Sequence, residues 1–383
     1  MSSLPPPGPE ALAHSEELHG LILQDIARQG GWIPFSRFME LALYAPGLGY
    51  YAAGAHKFGW EGDFVTAPEI SRLFGRTLAR QAAEIMALST PNIVELGAGS
   101  GKLAADMLLE LERMGSVPES YSILEVSADL RQRQQALLHE RAPHLARRVV
   151  WLDRLPDTLS GVVFGNEVLD ALPVHLLRWS GGDILERGVS RAGESFVWHD
   201  RPAETPELLE AAQGLTVPDE YQSEISLSAC GLVRSLCERL QHGVVLFVDY
   251  GFGAGEYYHP QRTRGTLVCH YRHRVHDDPF FLTGLQDITA HVDFSAITAS
   301  AADGGAHLLG YTSQAHFLIN NDIIRFLQEV APESLRDYLP LSAQLQKLTS
   351  PSEMGELFKV IAFGKGIASP LSGFARGDLS RTL

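Results

Sequence analysis

Cysteine is scarce in this chain. Cys230, Cys237 and Cys269 are too few and too scattered for a disulfide framework or a thiolate metal site, and a reducing compartment is the default that follows. Basic residues are also short: 31 Lys and Arg face 46 Asp and Glu, a formal net charge of −15. That balance lacks the basic face a nucleic-acid binder needs. It suits encounter with a cationic partner such as an Arg or Lys side chain. No apolar run approaches the ~18 residues of a membrane span, which argues against membrane insertion. Residues 1–10 are proline-rich and carry no Lys or Arg, so they match neither a signal peptide nor an Arg-rich transit peptide. The expectation is a soluble cytoplasmic protein with a loose tail over 1–13. The 45% hydrophobic content over 383 residues supports a sizeable core larger than one ordinary domain.

What the chain does have is Glu95-Leu96-Gly97-Ala98-Gly99-Ser100-Gly101. It follows apolar Ile93-Val94 and precedes a helix-like stretch, the strand-turn-helix order of a nucleotide-type site in an open α/β sheet. Two loops are excluded. An ATP or GTP loop needs Gly-Lys followed by Ser or Thr, and Leu103 stands where that hydroxyl would be. A dinucleotide turn needs its third glycine one residue later than Gly101. An acid before G-x-G-x-G suits S-adenosylmethionine, which has no pyrophosphate to cradle. Gly97, Ala98, Gly99 and Gly101 would offer bare backbone, and Glu95 would offset the ligand's cationic groups through water. A second apolar strand ends at Glu125, where an acid can accept hydrogen bonds from ribose hydroxyls. Val126 follows it on the cofactor side.

Strand and helix then alternate, which implies a parallel sheet. Strands are expected over 92–96, 121–126, 148–152, 161–165, 244–249, 307–311 and 357–363. The fold class is α/β, a doubly wound seven-stranded sheet ending in a hairpin, with an N-terminal helical extension and a small β-rich insertion. The expected organisation is a helical region and covering loop over 14–88, and a cofactor domain over 89–366. That domain carries an insertion at about 174–242, and a tail follows over 367–383. Thr66, Pro68 and Glu69 read as the start of a helix running to about 86. Residues 221–241 read as a helix and 252–295 as a long loop.

Chemistry is expected beyond the fourth strand, at Asn166, Glu167 and Asp170, because groups past the carboxyl ends of such strands face the ligand crevice. Two carboxylates three apart in a first helical turn could hold a guanidinium. The same residues would equally serve as a helix cap, with Asn166 capping. Asp63 and Glu69 supply two further acids, Glu69 also being a plausible capping residue. Asp287, His291 and Asp293 have a spacing that invites a metal. No companion ligand is evident, so hydrogen bonding or substrate contact is preferred and no metal is assigned.

Segments 39–51, 62–75, 94–108, 123–134, 165–174, 248–258, 264–273, 284–294 and 354–366 resemble the MidA family of class I S-adenosylmethionine-dependent methyltransferases, in order and over most of residues 20–366. GDFVTAPEIS, NEVLDALPV and DITAHVDF are the most specific of these. Departures are small: Ala98 and Ser100 in the turn, and Val168 where Phe is usual. The resemblance implies methyl transfer to a protein arginine, as by the family's mitochondrial complex I assembly factor. By analogy the target would be the large peripheral-arm subunit of that complex. Glu167 is then the first choice for orienting the guanidinium and accepting its proton, Asp170 the second, with Asp63 and Glu69 as partners. A methyltransferase for a small molecule or another residue, and a non-catalytic assembly factor keeping the fold, are the alternatives. No pattern assigns an oligomeric state.

Overall fold

The computed structural model describes residues 4–53 and 66–383. The chain divides into two compact units. One comprises Val65–Leu169, Leu232–Gly253 and Val292–Leu383; the other comprises Met1–Phe64, Asp170–Gly231 and Ala254–His291.

The first unit is built on strands β1 (Asn92–Leu96), β2 (Ser120–Leu124), β3 (Val149–Leu152), β4 (Leu159–Asn166), β5 (Leu240–Phe252), β6 (His307–Ser313) and β7 (Phe358–Lys365). Their order across the sheet is β6-β7-β5-β4-β1-β2-β3. β7 runs antiparallel between β5 and β6, while β3, β2, β1, β4 and β5 are mutually parallel. This is the expected seven-stranded sheet with its terminal hairpin. The short Val292–Asp293 strand extends β5 in parallel. The central strands are continuous apolar runs because both faces are covered: Val244 to Val248 are all buried. Leu78, Ala82 and Ile85 of the Arg72–Leu88 helix and Met107 of the Lys102–Arg113 helix meet Val162 and Phe164 on one face. The order reverses between β1 and β4, and in such a sheet the crevice beyond the strand ends at that point receives ligands.

The other unit holds a sheet of Trp32–Pro34, His175–Ser180, Asp183–Ala192, Ser195–Pro202 and Tyr221–Ile225, and a smaller one of Val268–Tyr271, Arg274–His276 and Asp287–Thr289. The Pro9–Arg28 and Phe35–Tyr44 helices supply Leu18, Ile22, Phe35 and Phe38 to its core, with Val189 and Phe196 from the sheet.

Several expectations are corrected. The first helix already begins at Pro9, because proline suits the first helical turn, so 1–13 is not all loose tail. The 14–88 region is split between the two units, and residues 254–291, read as loop, contain paired strands. The 221–241 helix is a strand, Tyr221–Ile225, followed by a helix, Leu227–Arg239. The helix after Thr66 breaks at Ser71, whose hydroxyl accepts from Leu73 N at 3.1 Å and caps the longer helix instead. Residues 367–383 pack onto the first unit. Leu371 is buried, and Thr312 Oγ1 donates to Gly377 O at 2.7 Å.

Candidate active site

At the end of β1 the backbone turns through Gly97 (φ 61°), Gly99 (φ 53°) and Gly101 (φ 84°), all left-handed. A residue with a Cβ is strained there. Gly97 N–H donates to Leu124 O at 3.1 Å, fastening the turn to β2. Gly101 stands at the N-cap of the Lys102–Arg113 helix. A Cβ added at Gly99 would meet no atom of the described residues within 4 Å, so this stretch of backbone is open to a ligand. Val168 sits behind the turn, with Cγ2 at 3.6 Å from a Cβ built on Gly97. Glu69 secures the turn from outside. Its side chain is 6% exposed, and its two carboxylate oxygens accept from Ser100 Oγ and Lys102 Nζ. It is therefore neither a helix cap nor an acid held clear of the turn.

Glu95 is 1% exposed and Oε2 accepts from the Tyr121 hydroxyl at 2.7 Å. Burial pushes its carboxyl up to about 8; the Tyr121 bond pulls the other way, and nearby Glu125 adds to the rise. A carboxyl raised on folding binds its proton in the native state where the unfolded chain has already released it. Stability from this group is thus full at acid pH and declines as pH rises from about 4.5 through about 8, by at most ~1.4 kcal/mol per pH unit. We expect Glu95→Gln to flatten this limb, so that its melting temperature falls less than wild type between pH 5 and 8. Parallel melting curves would refute the assignment.

Glu125, 5% exposed, accepts from Ser127 N at 2.9 Å and from Gln134 Nε2 at 2.9 Å. Burial raises its pKa, and these two bonds oppose the rise. Val126 is 79% exposed at the tip of β2, an apolar surface beside the acid. Open glycine backbone, a carboxylate and an exposed aliphatic side chain together fit an adenosyl group: hydrogen bonds for the ribose and an apolar face for the base.

The end of β4 differs from expectation. No helix begins there, so Glu167 and Asp170 do not share a helical face and Asn166 caps nothing. The cause is local. Glu167 has φ 53°, outside the right-handed helical region. Its N–H donates to Val248 O at 2.8 Å. Asn166 Nδ2 donates to Glu167 Oε1 at 3.0 Å. Fully buried Asp249 accepts from Leu169 N at 2.8 Å and from Tyr250 N at 2.9 Å, which anchors the segment from β5. A non-glycine residue held left-handed by neighbouring strands is a form of strain that concentrates at functional sites.

Asp170 is the first residue of the other unit; it is buried and its carbonyl accepts from Ala290 N at 3.1 Å. Asp63 lies outside the described residues. The Asp287, His291 and Asp293 series is divided among separate tasks. Asp287 Oδ1 accepts from the Tyr51 hydroxyl at 2.9 Å. Asp293 caps the Phe294–Asp303 helix through Ser295 N and Ala296 N. Among the described residues no group of three His, Cys, Asp or Glu is placed to hold a metal.

Two residues beside the site went unpredicted. Asp249 was visible only as the end of an apolar strand. Gln134 carried a clearer signal: it lies on the stripe Leu130, Gln134, Leu138, a polar residue among buried leucines.

The sheet order, the glycine turn and the acid at the end of β2 define a class I S-adenosylmethionine-dependent methyltransferase. Comparison with known proteins agrees. The chain belongs to a family of S-adenosyl-L-methionine-dependent methyltransferases whose model matches residues 77–312. It is 30% identical to the mitochondrial protein arginine methyltransferase NDUFAF7 homolog of Drosophila melanogaster, covering 96% of this chain and 91% of that protein. It is also 30% identical to Rattus norvegicus NDUFAF7, covering 87% of this chain and 81% of the relative. A Burkholderia thailandensis protein crystallised with S-adenosyl-homocysteine is 51% identical and matches with a TM-score of 0.96 over 100% of both chains. The methyl donor is S-adenosylmethionine. These relatives also correct the expected cytoplasmic location, because the curated ones are named as mitochondrial. That expectation rested on the lack of a leader-like pattern in residues 1–10, and a missing signal does not identify a compartment.

Proposed function

We propose that this methyltransferase modifies a guanidino nitrogen of an arginine in a protein substrate. The curated relatives, named protein arginine methyltransferases and similar over most of the chain, support the substrate class. The observation that carries the chemistry is Glu167, held in left-handed backbone at the tip of β4.

S-adenosylmethionine, when bound, supplies an electrophilic methyl on a sulfonium. Gly97, Ala98, Gly99 and Gly101 give it backbone to lie on, Glu125 takes the ribose hydroxyls, and Val126 faces the base. The Glu95 carboxyl, raised by burial in the free protein, would be drawn toward its ionised form by a cationic ligand. A guanidinium keeps its proton at every ordinary pH and is a poor nucleophile. Glu167 orients it and accepts the proton released as nitrogen bonds to the methyl carbon and the sulfur–carbon bond breaks, its electron pair leaving with the thioether product. Asn166 fixes the Glu167 carboxylate through its 3.0 Å hydrogen bond. Glu69, bonded to Ser100 and Lys102, acts on the turn rather than on the acceptor. By the family resemblance, the large peripheral-arm subunit of respiratory complex I is the first substrate to try.

The test is incubation of the protein with methyl-labelled S-adenosylmethionine and a lysate of a host lacking it, followed by mass spectrometry. Label on protein arginine is the expected result. Label confined to lysine, to other residues or to small molecules would sink the arginine reading. In the same assay Glu69→Ala should raise the cofactor KM roughly three- to ten-fold, the loss of ordinary hydrogen bonds, with little change in kcat.

A further inference from the structure

Gln134 is fully buried and uses both ends of its amide. Nε2 donates to Gly99 O at 2.9 Å and to Glu125 Oε2 at 2.9 Å. Oε1 accepts from Trp151 Nε1 at 2.9 Å. An indole N–H can only donate, so it forces the amide oxygen toward Trp151. The NH2 group must then face the Gly99 carbonyl and the Glu125 carboxylate, both acceptors here. The amide orientation is thus determined by its partners. One side chain from the Ala128–Arg141 helix spans the ends of β1 and β2, linking the open glycine backbone to the acid.

We infer that Gln134, oriented by Trp151, is a positioning residue that sets the Glu125 carboxylate for the ribose of the adenosyl ligand. This rests on the reading of Glu125 as the ribose acceptor. Glu125 is tied on its other oxygen to Ser127 N, so the Gln134 bond fixes the remaining rotation of the carboxylate. Leucine at 134 would keep the buried volume but remove both donors.

The experiment measures calorimetric Kd values of the whole protein for S-adenosyl-homocysteine and for its 2′,3′-dideoxy analogue. Wild type should prefer the hydroxylated ligand by about ten-fold or more, the usual worth of hydrogen bonds to a charged acceptor. Gln134→Leu should weaken S-adenosyl-homocysteine by roughly ten-fold and the dideoxy analogue by no more than about two-fold, collapsing the preference. Trp151→Phe leaves the amide free to flip and should reduce the preference about three-fold; it carries the test where Gln134→Leu does not fold. An unchanged preference in both variants, or equal weakening of both ligands, would overturn the inference and leave Gln134 as a packing residue. A wild type that does not prefer the hydroxylated ligand would remove the ribose role of Glu125, and the inference with it.

Discussion

Glu167→Gln is expected to lower kcat by roughly a hundred-fold or more while S-adenosyl-homocysteine binds with an unchanged Kd. A positioned proton acceptor contributes about 10²- to 10⁴-fold to a rate. Glutamine keeps the shape of the side chain and can still accept from Asn166 Nδ2, the 3.0 Å bond of the native residue. It cannot carry negative charge toward a guanidinium or take up a proton near neutral pH. The backbone demand is the same for both residues, since φ 53° strains each equally. Loss of activity would therefore report on charge and basicity rather than on the turn. Single-turnover rates at saturating cofactor are the measurement. A Glu167→Gln protein within a few-fold of wild type would remove Glu167 from the chemistry and turn attention to Asp170 or Asp63.

The second large effect is expected at Gly99. Gly99→Val should reduce S-adenosyl-homocysteine affinity by more than about a hundred-fold, to the limit of calorimetric detection. Valine in left-handed backbone costs about 1–2 kcal/mol, and its β-branched side chain would stand on the open face of the turn, where no described atom lies within 4 Å of the Cβ position. Among the described residues nothing lies within 4 Å of that Cβ, so the steric penalty is expected to fall on the ligand. Gly115→Val is the control. Gly115 has φ 70°, also has no described atom within 4 Å of an added Cβ, and follows the far end of the Lys102–Arg113 helix. It should pay a similar strain in melting temperature with no change in Kd. Equal binding by Gly99→Val and wild type would mean that the cofactor does not lie over this backbone.

Much of this was legible along the chain because it depends on neighbours in sequence. The apolar runs that became β1, β4 and β5 declare themselves by composition, since a strand covered on both faces must be apolar throughout. The glycines at 97, 99 and 101 declare a turn that other residues resist, and all three are left-handed. Glu125 follows from its place at the end of a strand. Errors arose where a local rule competed with tertiary partners. Thr66 and Glu69 have the spacing of a helix cap, yet Glu69 goes to Ser100 and Lys102, some thirty residues on, and Ser71 does the capping. Glu167 and Asp170 have helical spacing, yet the bonds to Val248 O and from Leu169 N to Asp249 draw the segment out of a helix.

The sequence by itself determined the seven-stranded sheet with its terminal hairpin, the position of the glycine turn and the types of residue available for chemistry. These follow from periodicity and from backbone conformations only certain residues tolerate. The tertiary structure decided which acids stand where. Glu95 is buried against Tyr121, Glu69 braces the turn, and Gln134 joins Gly99 to Glu125. Each of these links residues from 9 to 35 positions apart. A side chain's hydrogen-bond partner is set by which strand ends the sheet brings together, and no local propensity encodes that.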